Sequence, residues 1–375
     1  MTEQTFVREL ERQAEHVRGA PLSFEDVRGK AHSIRRRRRS AAAGAVAAVV
    51  AAVIVVPAVL SGGPGSKAPE PAPPLPTSPG ASVLHDGVLT LPDGSTSQLG
   101  VDNDAVMQLG VLTDGRAVLA LQDPYAVRVY AADGTLQEEY PVRLNAITMS
   151  ADDDAVAWIA ADSTIRVLSS GEATPTELPG IPMPGEAVGS IEAVLDADRL
   201  LVGDYNTTTG EVTPAGFREI TTSEPMQVRD VSPDGSLWAV DLARSSSNEQ
   251  FGCAALYDPE AAQVLAQSCE TSFLAFSPDG QHLLGSRGDN AMLGSATVLD
   301  LDLEVVGRWE SEGRGDVIKS VAWADAGHLL VSEANWKDNA WTLNRVDLAW
   351  SEREVLDGPI EGGNPEMVNE FLLSN

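Results

Sequence analysis

The chain has 375 residues, only 5% of them aromatic, with 33 Gly and 23 Pro, a balance that suits many short strands and turns better than a helical bundle. Its formal net charge of −29 is unevenly spread: residues 1–39 hold ten Lys/Arg against six Asp/Glu, and residues 62–375 hold 16 against 49. So acidic a C-terminal part repels phosphate backbones and anionic headgroups, which excludes nucleic acid as its partner.

The first segment, 1–39, is a basic tail with two short amphipathic helices. Phe6, Leu10 and Val17 share one stripe before Pro21 stops the first helix. Ser23 and Asp26 resemble a capping box for the second, which puts Phe24, Val27 and Ile34 on one face. So few apolar positions cannot build a core. The stripe reads as a docking face for a cytoplasmic partner, or as one side of a partly ordered tail.

Arg35, Arg36, Arg37, Arg38 and Arg39 then run into residues 41–60, which carry no charge. Twenty residues at about 1.5 Å rise span about 30 Å, the thickness of a bilayer's hydrocarbon core. Residues 40–61 are therefore expected to form a transmembrane helix. The arginines orient it with the N-terminus in the cytoplasm and the C-terminal part outside. A cleaved signal is the alternative, but a 39-residue leader is long for one. Residues 62–81 form a Pro-rich spacer, extended and without a core of its own.

From residue 82 a unit recurs. Its clearest copies are VSPDGSLWAVD from Val231 and FSPDGQHLLGS from Phe276; weaker ones start at Leu112, Met149, Leu195 and Trp323. The positions matching the motif's Gly are Gly115, Asp153, Arg199, Gly235, Gly280 and Gly327, spaced 36 to 47 residues apart. Such periods mark one supersecondary unit per repeat. Each unit is expected to hold two hairpins. Gly235 and Gly280 supply positive φ, and Asp114, Asp234 and Asp279 accept backbone N–H bonds, so these aspartates read as turn formers rather than ligands. Residues 83–99 read as one hairpin and 366–374 as one or two strands. Together they make a seventh sheet from both ends, closing the ring and removing exposed edges. The predicted fold is all-β, a seven-bladed β-propeller of six full repeats plus one blade closed by both termini, over residues 82–375. A helical tail and one transmembrane helix precede it.

The SPDG unit resembles the WD40-like repeats of the TolB and prolyl-oligopeptidase propellers. The chain contains no Trp-Asp dipeptide, which sets it apart from ordinary WD40 repeats. Its layout of basic tail, arginine run, anchor, Pro linker and acidic repeats also looks like actinobacterial membrane proteins similar to anti-sigma factors. That second resemblance implies a sigma factor as the partner of the tail.

Cys253 and Cys269 flank a turn at residues 258–262. If the segments around it form a hairpin, the two face each other. An oxidising compartment then makes them a disulfide and a reducing one leaves two thiols. No GxSxG, HExxH, Walker loop or GxGxxG occurs, so no catalytic, cofactor or metal residue is assigned. His282 and His328 hold the same place in adjacent repeats, and repetition explains them. Four stretches, 207–216, 245–252, 287–295 and 333–340, are read as lengthened loops between second and third strands. Asn335, Trp336, Lys337 and Asp338 form an amphipathic cluster on the last of these, the candidate binding loop.

The expected function is recognition: a membrane-anchored extracytoplasmic propeller that binds or senses a protein or ligand and signals through its tail. The rival readings are an extracytoplasmic propeller enzyme, of the lactonase or metal-dependent hydrolase type, and a structural envelope protein.

Overall fold

The computed structural model describes residues 80–144, 146–180, 189–203, 209–220, 226–242, 253–286, 295–310, 316–364 and 369–374. The tail, the arginine run, residues 40–61 and nearly all of the Pro-rich spacer lie outside them. Among the described residues no helix is long and apolar enough to cross a membrane.

The described strands form seven antiparallel sheets of four strands each. Six sheets are contiguous in sequence. They start at Val106–Val111, Thr148–Met149, Ser190–Asp196, Met226–Val231, Ser272–Phe276 and Asp316–Asp325, and we number them blades 1 to 6 in that order. In every one the strands lie side by side in sequence order. First strands of neighbouring blades touch each other from blade 2 through blade 5, and from blade 6 through Leu372–Leu373 of the seventh sheet to blade 1, and so line the axis. Fourth strands such as Leu136–Pro141 and Arg353–Glu361 are mostly exposed and form the perimeter.

Blade 7 closes the ring. Its innermost strand is Leu372–Leu373 from the C-terminal end, followed outward by Val83–His85, Val88–Thr90 and Thr96–Gln98. The junction is two residue pairs, Val83 with Leu373 and Leu84 with Leu372. It is extended by hydrogen bonds between Ser82 and Ser374 in both directions. The sequence expectation of one hairpin over 83–99 is corrected here: the segment supplies three strands and the C-terminal segment one. The chain reverses twice, at Asp86-Gly87 (φ 49° and 73°) and at Gly94 (φ 80°), left-handed positions that these short residues tolerate.

Each sheet is buried on both faces, so alternate residues of one strand feed two different cores. In the second strand of blade 1, Ala117, Leu119 and Leu121 pack toward blade 7, while Val118 and Ala120 pack toward blade 2. The second strand of blade 2 repeats this: Val156 and Trp158 face blade 1, and Ala155 and Ala157 face blade 3. Seven apolar clusters result, one per interface between neighbouring blades. This explains why the second and third strands read as unbroken apolar runs rather than as an alternation.

The SPDG turns are built alike. Ser232 Oγ donates to Asp234 Oδ1 at 2.8 Å and accepts the Leu237 N–H at 2.9 Å. Ser277 does the same with Asp279 (2.6 Å) and the His282 N–H (2.9 Å). Ser150 matches them with Asp152 (2.6 Å) and the Ala155 N–H (2.9 Å). Gly235 and Gly280 take φ of 72° and 68°, and Asp153 takes 57° where the better copies have Gly.

Phe371, fully buried between blades 6 and 7, is the largest apolar side chain that the C-terminal segment brings to the closure. Phe371→Ala is expected to cost about 3–5 kcal/mol, read as a lowered urea midpoint with an unchanged slope. A change below about 1 kcal/mol would mean that the ring does not depend on the junction.

Candidate functional site

In this topology the connections alternate between two faces. Turns between first and second strands, and between third and fourth, emerge on one face, called here the turn face. Connections between second and third strands, and between blades, emerge on the other, the connection face.

The predicted binding loop lies on the connection face but is not a lengthened loop. The second strand of blade 6 continues to Asn335 and the third starts at Ala340, so residues 336–339 are a tight hairpin turn. Asn335 Oδ1 accepts the N–H groups of Lys337 (2.9 Å) and Asp338 (3.1 Å), and its Nδ2 donates to Asp316 Oδ1. Asn339 completes the reversal at φ 48°. Lys337 and Asp338 are exposed and Trp336 is half-buried. The cluster exists, but Asn335 is committed to the turn. Residues 207–216 are also corrected: Thr209–Thr213 is the third strand of blade 3 and Gly216–Glu219 the fourth. Glu and Thr at these positions gave a loop-like polar reading, yet Glu211 is buried against Arg199 and Arg218. Residues 245–252 and 287–294 lie outside the described residues.

Cys253 and Cys269 are joined in a disulfide. Cys253 opens the third strand of blade 4 and Cys269 follows its fourth. The pairing of Ala254 with Ser268 places them opposite each other. The turn between uses Asp258 Oδ1 as acceptor for the Glu260 and Ala261 N–H groups, with Ala262 at φ 53°.

Two surface cavities lie on the turn face. One, of 340 Å³, is lined by residues of blades 2, 3 and 4, among them Asp152, Arg199, Asp234 and Trp238. Arg199 is held over it by Glu211, whose Oε1 accepts from Nε at 2.8 Å. The other, of 520 Å³, separates blades 1 and 2 and is lined by Asp114, Arg116, Tyr140 and Glu172. Asp114 therefore does more than form a turn. It receives Arg116 Nε at 2.8 Å and, across the interface, the Gly171 N–H at 2.8 Å. Arg116 in turn donates to the Ser169 (2.7 Å) and Glu172 (2.8 Å) carbonyls of blade 2. Burial works to raise the Asp114 carboxyl, but hydrogen bonds from Arg116 and Gly171 together hold it below its ordinary value.

A recurring set that sequence reasoning missed sits deeper, at the β-bulges of the first strands. Gln108 Oε1 accepts the Ile147 N–H at 2.7 Å, Glu192 Oε2 the Val228 N–H at 3.1 Å, and Asp230 Oδ2 the Phe276 N–H at 2.6 Å. Each reaches from one blade to the next. The bulges that place them follow Val106, Ile191 and Val228. Gly203 leaves the room that Glu192 needs, since a Cβ there would collide with its carboxylate. No repeated letter marks these positions, because Gln, Glu and Asp do the same work. Burial pushes the Asp230 carboxyl up to about 6, against the lowering pull of the Phe276 and Val231 N–H groups.

His282 and His328 open their second strands as equivalents. His328 Nδ1 lies 2.8 Å from Asp325 Oδ1, and Arg345 donates to the same carboxylate at 2.6 Å, so His328 is engaged within its own blade. Among the described residues one group offers ligand atoms spaced for an ion: His85, Asp86 and Glu370, within 4.8 Å of one another. The tail residues Phe6, Leu10, Val17, Phe24, Val27 and Ile34, and the arginines at 35–39, lie outside the described residues.

No protein-family model matches the chain, and no curated protein is similar to it. What the residues and the geometry define is a class: a seven-bladed β-propeller with its first and last described strands paired in one blade.

Arg116→Ala is expected to lower stability by about 2–4 kcal/mol, since it strands a partly buried carboxylate and two carbonyls, with Arg116→Lys recovering less than half. Chemical denaturation checks both; full recovery by Lys would show that charge alone matters. For Asp230 the unfolded carboxyl titrates near 3.8 and the folded one near 6. Between those values the folded state binds more protons, so this residue makes stability fall as pH rises from about 4 to about 6. Asp230→Asn should remove that part of the slope in urea midpoints measured over the interval. Parallel profiles for the two proteins would contradict it.

Proposed function

We propose that this chain is a single-pass membrane protein whose extracytoplasmic propeller is a binding and sensing module. On this reading residues 40–61 are the anchor, 62–81 hold the propeller away from the surface, and 1–39 face the cytoplasm. The observation that carries it is the Cys253–Cys269 disulfide in the propeller, which needs an oxidising compartment to persist. It agrees with Arg35–Arg39 preceding an uncharged run of 20 residues, an arrangement that keeps the tail on the reducing side.

The propeller fold supports recognition because it is a stiff ring with two faces of short connections, the kind of scaffold on which binding groups are displayed. The 340 Å³ cavity offers Arg199, Asp152, Asp234 and an aromatic wall at Trp238, a mixed polar set suited to a peptide or small polar ligand. The repeat resemblance to TolB-like propellers favours a protein partner for the same module. The layout resemblance to anti-sigma-like proteins favours a sigma factor at the tail, with Phe6, Leu10, Val17, Phe24, Val27 and Ile34 as the docking face.

Protease treatment of intact spheroplasts carrying a tag at each end tests the topology. The expected result is loss of the C-terminal tag with the N-terminal tag protected, and retention of the N-terminal fragment in alkali-washed membranes. Protection of both tags, or recovery of the chain in the soluble fraction, would contradict the reading.

A further inference from the structure

The pairing that closes the ring also assembles a group of side chains from distant parts of the sequence. Val83 pairs with Leu373 and Leu84 with Leu372, which brings the His85 ring against Phe371 and the turn residue Asp86 close to Glu370. The register thus brings an imidazole and two carboxylates to one spot on the connection face. A nitrogen of His85 and one oxygen each of Asp86 and Glu370 lie within 4.8 Å of one another, and His85 Nε2 is already 3.8 Å from Asp86 Oδ2. Donors at about 2.0–2.2 Å around a tetrahedral ion stand about 3.4 Å apart. The approach still needed is small, and the exposed Asp86 side chain is free to make it.

What separates this group from a chance cluster of acids is the support behind each member. His85 Nδ1 faces Asp357 Oδ2 at 3.5 Å, so the ring has a carboxylate behind one nitrogen and Asp86 before the other. A carboxylate behind a ligating histidine is the arrangement that orients such a ring toward an ion. The imidazole is also set against the Phe371 ring, with centroids 4.6 Å apart. Glu370 Oε1 accepts the Gly363 N–H at 2.6 Å, which orients the second carboxylate. The buried Asn103 then ties the two halves together. Its Oδ1 accepts the N–H of Gly87, next to Asp86, at 3.1 Å, and its Nδ2 donates to the Glu370 carbonyl at 2.8 Å.

We propose that His85, Asp86 and Glu370 bind a first-row divalent cation, with Asp357 as a positioning residue, and that the bound ion fastens the N-terminal strand of blade 7 to its C-terminal strand. One imidazole and two carboxylates suit zinc or manganese better than magnesium or calcium, which prefer all-oxygen sites. A fourth coordination position is left for water or for a ligand arriving at the connection face. Because the ligands meet only when blade 7 is closed, the ion binds the folded ring and not the unfolded chain, and so stabilises it by mass action.

The test is calorimetric titration of EDTA-treated full-length chain with Zn²⁺, together with thermal melts over a Zn²⁺ series and Mg²⁺ as the control cation. The expected result is one Zn²⁺ per chain, a melting temperature that climbs with Zn²⁺ and not with Mg²⁺, and loss of both in His85→Ala and Glu370→Gln. Asp86→Asn, at a left-handed position that Asn accepts, folds even if those two do not and should weaken binding at least tenfold. Asp357→Asn should keep the stoichiometry and weaken affinity by about tenfold. Equal Zn²⁺ binding by wild type and Asp86→Asn, or a melting shift that Mg²⁺ reproduces, would show only adventitious capture by the acidic surface and overturn the proposal.

Discussion

The first strand of every blade has no fifth strand to pair with, and the rest of the structure depends on how that inner edge is satisfied. Backbone N–H groups along an unpaired edge near the axis are costly unless something accepts from them. Gln108, Glu192 and Asp230 supply that acceptor from the preceding blade. At the closure Ser320 Oγ donates to the Phe371 carbonyl at 3.3 Å instead, so blade 6 is linked to blade 7 by the same position with the roles exchanged. The bulge beside each of these residues turns the side chain out of its own sheet. A sheet that would otherwise be a stand-alone unit becomes one member of a ring.

The apolar cores have the same logic. Each lies between two blades, so no blade owns a core and none can be removed without exposing two apolar faces. Polar links reinforce the rim on the turn face: Thr113 Oγ1 donates to Asp154 at 2.6 Å, alongside the Asp114–Arg116 grip on residues 169–172. The acidity of the propeller is compatible with this packing where carboxylates such as Asp114, Glu192 and Glu211 accept bonds from N–H groups and arginines.

Much of this was legible in the sequence because repetition makes weak signals add. The Ser-Pro-Asp-Gly turn at 232–235 and its copy at 277–280 identified a unit, and the same unit could then be followed into Asp152–Asp153 and Asp325–Gly327, where the letters change but the reversal persists. Blade 7 was visible as leftovers at both ends, though not its three-plus-one division, since three of its strands are only three residues long and the fourth only two. The candidate site was far less legible. Asn335 and Trp336 stood out as an amphipathic loop, yet hydrogen bonds to Lys337, Asp338 and Asp316 make that stretch a turn. His85 and Glu370 are 285 positions apart, and only the register of the closing pair makes them neighbours. Local patterns report local structure; a site made by ring closure has no local pattern to show.

If the inner-edge links and the closing pair make the seven blades one cooperative body, opening any part of the ring should open all of it. Native-state hydrogen exchange tests this directly, comparing full-length chain with a form lacking residues 369–375. The account predicts that the Ile147, Val228 and Phe276 amides exchange at a common, slow rate in the full chain and are all accelerated together by the deletion, although they lie in blades 2, 4 and 5. Acceleration confined to blade 7 and its two neighbours, with those three amides still protected, would contradict it.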